Sequence, residues 1–102
     1  MTSEKSVPQQ SHWTFLTNHA QVLLSIARNQ TATAREIAAQ VGITERAVQR
    51  ILRDLHDAGY LSHTRQGRQN RYQIHADAPM RHPAQQGRVV GELLDTFAEP
   101  VA

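Results

Sequence analysis

Residues 33–59 read TAREIAAQVGITERAVQRILRDLHDAG, and this stretch decides the fold. It opens with Thr33-Ala34-Arg35-Glu36, the spacing of a capping box. In that motif the Thr33 hydroxyl bonds forward to an orphan amide and the Glu36 carboxylate bonds back to another. A short helix is expected to follow, with Ile37, Ala38 and Val41 turned inward. Gly42 stands where a helix ends in a left-handed residue, Ile43 offers an inward anchor, and Thr44 supplies a second N-cap. A longer helix is then expected from about Glu45 to Ala58, stopping at Gly59. At about 100° per residue, Ala47, Val48, Ile51, Leu52 and Leu55 gather on one face. Arg46, Gln49, Arg50 and Arg53 occupy the opposite face at i, i+3, i+4 and i+7. Packing requires the first stripe; nothing in packing requires the second to be three arginines and a glutamine.

Upstream, Phe15, Leu16, Val22, Leu23 and Ile26 recur at three- and four-residue steps. This predicts a helix capped by Thr17 or Asn18, with Trp13, Phe15 and Leu16 packing as an entry segment. Residues 1–10 hold one apolar side chain besides the first Met and are expected to form a flexible tail. Downstream of Gly59 the period changes to two. Tyr60–Arg65 and Arg71–His75 are β-prone runs around a turn at Gln66–Asn70, with Leu61, Tyr72 and Ile74 available to dock the hairpin. Residues 76–86 contain Pro79 and Pro83 and are expected to be an extended connector. Val89, Val90, Leu93, Leu94 and Phe97 then form the stripe of an amphipathic helix over 87–99, which Pro100 helps to end. The fold class expected is mainly α with a small β-hairpin. Residues 11–75 follow the order of a winged helix-turn-helix, a three-helix core plus wing, with an additional C-terminal helix.

Charge and composition narrow the function. The chain has 102 residues, 39% hydrophobic and 20% charged, which suits one globular domain. It has no cysteine, so disulfides, thiolate metal sites and a thiol nucleophile are excluded. The longest apolar runs are Val22-Leu23-Leu24 and Ile37-Ala38-Ala39, too short for a membrane span or the apolar core of a signal peptide, so the cytoplasm is the expected location. Between residues 46 and 71 six arginines face two acids, Asp54 and Asp57, whereas the last fourteen residues carry Glu92, Asp95 and Glu99 and no base. A basic region with an acidic end points to a polyanionic partner on one face. An α-helix fits the DNA major groove, and residues near its N-terminal end reach base edges. Thr44, Glu45, Arg46, Gln49 and Arg50 are so placed, with Arg53 suited to a phosphate. Arginine pairs with guanine and glutamine with adenine. The wing arginines Arg65, Arg68 and Arg71 can reach the neighbouring minor groove or its phosphates, with Arg68 as the groove-entering residue.

Ala34-Arg35-Glu36-Ile37-Ala38 through Val41-Gly42-Ile43-Thr44, Ala47-Val48-Gln49-Arg50, Leu55, Gly59-Tyr60-Leu61 and Arg65-x-Gly67-Arg68-x-x-Arg71-Tyr72 carry a family likeness. Over roughly residues 18–75 the chain resembles the MarR-type winged helix transcriptional regulators. The resemblance implies a recognition helix at Thr44–Arg53 in the major groove and Arg68 in the minor groove. It also implies a sequence-specific regulator of transcription that binds double-stranded DNA. A homodimer reading an inverted repeat is expected, because a two-fold operator demands a two-fold protein. Val89, Val90, Leu93, Leu94 and Phe97 are its candidate interface, with Glu92, Asp95 and Glu99 outward.

Other function classes have less behind them. Winged helices also serve as protein–protein modules, and here a basic face would meet an acidic partner. Six histidines (12, 19, 56, 63, 75 and 82) raise the question of metal, but no tight ligand spacing links them. No metal site and no cofactor is expected. With no Gly-rich phosphate loop and no Ser/His/Asp grouping that this architecture would assemble, an enzyme is not expected either.

Overall fold

A computed structural model of the chain describes residues 13–98. The expected tail, His12 and Glu99 lie outside the described residues. Three helices come first: α1 (Asn18–Arg28), α2 (Ala34–Val41) and α3 (Glu45–Asp57). The antiparallel strands β1 (Leu61–Gln66) and β2 (Gln69–Ile74) follow, then a 3₁₀ turn at Pro83–Gln85 and α4 (Val90–Ala98).

Local chemistry starts each of the first three helices. Thr17 caps α1 through Ala20 N–H at 3.2 Å, and Thr44 caps α3 through Ala47 N–H at 3.0 Å. At α2 both halves of the capping box form: Glu36 N–H donates to Thr33 Oγ1 (3.1 Å) and Thr33 N–H donates to Glu36 Oε1 (2.9 Å). Such caps satisfy donors that the helix itself leaves without partners. Gly42 ends α2 at φ +84°, and Ile43 N–H still reaches Ala38 O at 3.1 Å. This tight turn sets α3 across α2, with Ile43 packed against the core.

Helix periodicity then builds one core. Val22, Leu23 and Ile26 of α1 meet Ile37 and Ala38 of α2, and Val48, Ile51, Leu52 and Leu55 of α3. Leu61 and Tyr72 close it from the hairpin, with Ile74 partly buried beside them. Burying these stripes is what holds the short helices, which would be marginal in isolation.

Five sequence expectations change. The hairpin turn is tighter than Gln66–Asn70, because Gln66 pairs with Gln69 and only Gly67-Arg68 remain as the loop. Gly67 has φ +60° and Arg68, like every non-glycine among the described residues, does not have positive φ, which defines a two-residue loop with glycine first, of type II′. Trp13 and Phe15 do not pack as an entry segment: they stack edge-to-face on each other and stay exposed, and only Leu16 reaches the core.

Residues 76–89 also fold back instead of extending. Pro79 bridges Val89, Met80 N–H donates to Arg88 O at 3.0 Å, and Val90 N–H donates to Ala78 O at 2.8 Å. The Tyr60 hydroxyl donates to Pro79 O, and Ala78 and Met80 pack on the core. Proline lacks an N–H, and in the bridge it is Met80 that donates and Pro79 that needs none. Because Val89 is held by this bridge, α4 starts at Val90 rather than at residue 87.

Finally, the apolar stripe of α4 is divided. Val90 and Leu94 are buried in the core of their own chain, where α4 packs on α1. Val89 and Leu93 are half-buried, and Phe97 is 45% exposed.

Candidate nucleic-acid interface

The outer face of α3 is the basic stripe that periodicity predicts. Arg46, Gln49, Arg50 and Arg53 are all exposed, while Val48, Ile51, Leu52 and Leu55 on the inner face hold the helix in place. Among the described residues none of these three arginines forms an ion pair, so their guanidinium donors face solvent. Guanidinium forks on a rigid helix are pre-organised for bidentate bonding to guanine or phosphate.

Two residues at the start of the helix have other work. Thr44 Oγ1 accepts from Ala47 N–H, so this side chain fixes the helix start. Glu45 lies 3.5 Å from Arg35 Nε of α2, an exposed contact that joins the two helices of the motif. Exposed pairs of this kind add little stability. One turn beyond Arg50, Asp54 Oδ2 meets His19 Nε2 of α1 at 2.8 Å, which draws one of the two local acids toward α1.

The strand register separates the wing arginines. Thr64 pairs with Arg71, and Arg65 pairs with Asn70, so Arg65 and Arg71 leave opposite faces of the hairpin. Arg65 Nε donates to Gly67 O at 3.2 Å and braces the turn. Arg68 occupies the second loop position at the tip, fully outside the ladder. The structure therefore puts Arg65 on the face shared by His63 and Tyr72, Arg71 on the other, and Arg68 between them at the tip.

Two histidines that the charge pattern does not single out adjoin this surface. His56 lies one turn beyond Arg53 and at i+7 from Gln49, a spacing visible in the sequence. His63 of β1 stands next to it, with ring centroids 6.2 Å apart, and lies in turn against Tyr72, tilted to its ring at 5.7 Å. No sequence signal pairs these two residues, because the contact forms only once the hairpin packs on the end of α3. Elsewhere, Glu92 holds the Arg88 guanidinium above its ordinary range through a 2.5 Å hydrogen bond, an i,i+4 pair at the start of α4 and part of neither α3 nor the wing.

Among the described residues no group of three metal-ligating side chains comes together. No described helix is long and apolar enough to cross a membrane.

A three-helix core, a tight Gly42 turn into a basic exposed helix and an arginine-tipped hairpin define a winged helix-turn-helix domain. The MarR family model matches residues 14–71, more than half of the chain, from ahead of α1 into β2. The chain belongs to the MarR family, whose members are DNA-binding transcription regulators. No curated protein matches it.

Proposed function

We propose that the protein is a sequence-specific regulator that acts as a homodimer on an inverted repeat, in the cytoplasm with the DNA it reads. The exposed stripe of α3 carries this reading: three arginines and a glutamine exposed on a helix whose opposite face is buried. Arg46, Gln49 and Arg50 read base edges in the major groove, with Glu45 beside them and Thr44 fixing the helix start. Arg53 holds a phosphate. Arg68 enters the minor groove, and Arg65 and Arg71 flank it on the two backbone strands. A dimer fits the demand of a two-fold operator and the small size of one domain. Of the α4 stripe, Leu93 and Phe97 with Val89 remain available to a partner, whereas Val90 and Leu94 serve the protomer's own core.

The test is selection from a fluorescent genomic duplex pool at two salt concentrations, followed by point variants. An enriched inverted repeat is expected, with a log–log salt slope on the order of −5 for several phosphate contacts per subunit. Arg68→Ala should weaken binding to every sequence and flatten the salt slope by about one per subunit. Gln49→Ala or Arg50→Ala should instead relax sequence preference, by about 1–3 kcal/mol per lost base contact. If these variants bind operator and random DNA like the parent, the groove assignment is wrong. Absence of binding at low salt would leave the winged helix as a protein-interaction module.

A further inference from the structure

We infer that His56 and His63 together bind a backbone phosphate of the DNA strand between the two grooves, as imidazolium ions, so that DNA binding takes up protons. This rests on the assignment of α3 and the wing to DNA and adds to it a site and a condition of operation.

The placement carries the argument. A helix in the major groove and a wing tip in the adjacent minor groove are separated by one sugar–phosphate strand, so side chains in the crook between them face that strand. His56 closes the exposed side of α3, beyond Gln49 and Arg53. His63 lies on the hairpin face shared with Arg65, Asn70 and Tyr72. Their rings, 6.2 Å apart, are the point at which α3 and the wing meet across this crook. Rings at this separation can both donate to oxygens of a single phosphodiester seated over them, at about 2.7–2.9 Å each.

The surroundings favour an anion. His56 Nδ1 is turned to Asp57 Oδ1 at 3.4 Å, which leaves Nε2 for an outside acceptor. His63 has no side-chain hydrogen-bond partner among the described residues and lies against the buried Tyr72. The charged and titratable groups around the pair are Arg53 and Asp57 on α3, and Arg65 and Tyr72 on the hairpin. Asp57 is the one acid among them, and the nearby Asp54 is held by His19. Two imidazolium charges this close, beside two arginines, repel each other, and a phosphate over them turns that repulsion into attraction. Protonation and phosphate binding therefore reinforce each other, by the same linkage that ties proton uptake to any equilibrium. Histidine is the side chain whose ordinary charge change falls between about pH 5 and 8.

The experiment titrates a fluorescent mixed-sequence duplex with the full chain at fixed ionic strength, from about pH 8 down to about pH 5.5. A mixed sequence serves because phosphate contacts are not sequence-specific. Affinity should rise as pH falls, approaching about tenfold per pH unit for each proton taken up per site. His56→Gln with His63→Gln should flatten that dependence and bind at every pH about as the parent does near pH 8. His56→Arg with His63→Arg, whose charge does not titrate, should bind more tightly than the parent at high pH and also lose the dependence. His19→Gln should keep the parent's slope. Both histidines are exposed, so circular dichroism should show all variants folded; should the glutamine pair unfold, the arginine pair decides. A parent that binds with normal salt dependence but no pH dependence overturns this inference alone. So does a glutamine or arginine pair that keeps the parent's slope. A parent that binds at no pH overturns it together with the DNA assignment.

Discussion

Replacing Leu94 with alanine tests what the last helix is for. Leu94 is 7% exposed and lies in the core cluster where α4 packs on α1. Buried Leu→Ala changes cost about 2–5 kcal/mol, the transfer term plus the cavity left behind. Leu94 sits on a terminal helix that can relax toward α1, so the low end applies, about 2–3 kcal/mol. For a domain of this size each kcal/mol moves Tm by about 4–8 °C, which gives a drop of about 10–20 °C. Phe97 on the same helix is 45% exposed, and Phe97→Ala should change protomer stability by less than about 1 kcal/mol.

The assay is urea unfolding of both variants at protein concentrations about a hundredfold apart, with sedimentation to read the oligomeric state. Leu94→Ala should lose the same free energy at both concentrations, because the contact lies within one protomer. Phe97→Ala should weaken self-association and leave protomer unfolding nearly untouched. The reasoning is refuted if Leu94→Ala stays within about 0.5 kcal/mol of the parent. It is equally refuted if the two variants behave alike and their losses change with concentration, since the whole stripe would then be held by a partner.

Two glycines give further tests. At Gly67 no atom blocks a side chain, but φ is +60° in a two-residue turn, so Gly67→Ala should cost about 1 kcal/mol or more through backbone strain alone. DNA affinity should fall as the Arg68 tip loses its position, with the sequence preference from α3 retained in a binding assay. Gly91 differs, because a Cβ there would lie 2.8 Å from Ala76 O, the carbonyl that accepts Gly91 N–H. Gly91→Ala should therefore lower Tm in a thermal melt, although alanine is favoured over glycine by about 1 kcal/mol inside a helix.

The sequence by itself determined whatever depends on neighbours a few residues apart. The Thr33/Glu36 capping box, the caps at Thr17 and Thr44, the Gly42 turn and the two faces of α3 are all local, and a helix joins residues three and four apart. The change of period after Gly59 announced the hairpin in the same way. Tertiary structure alone decided what depends on contacts between residues distant in the chain or on strand register. The sequence could place Arg65, Arg68 and Arg71 on one hairpin, but a turn of two residues rather than five divides them between its faces. It showed the stripe Val89–Phe97 without showing that Val90 and Leu94 spend their apolar surface on α1. It gave 76–86 two prolines, while the fold supplied Tyr60 and Val89 as partners that turn this segment back on the core. It listed His56 and His63 separately, and only the packing of the hairpin on the end of α3 made them a pair. The physical reason is common to all four: each depends on which residues distant in the chain, or opposite in the strand register, are brought together, and a local pattern such as an amphipathic stripe states only that a surface must be covered, not what covers it.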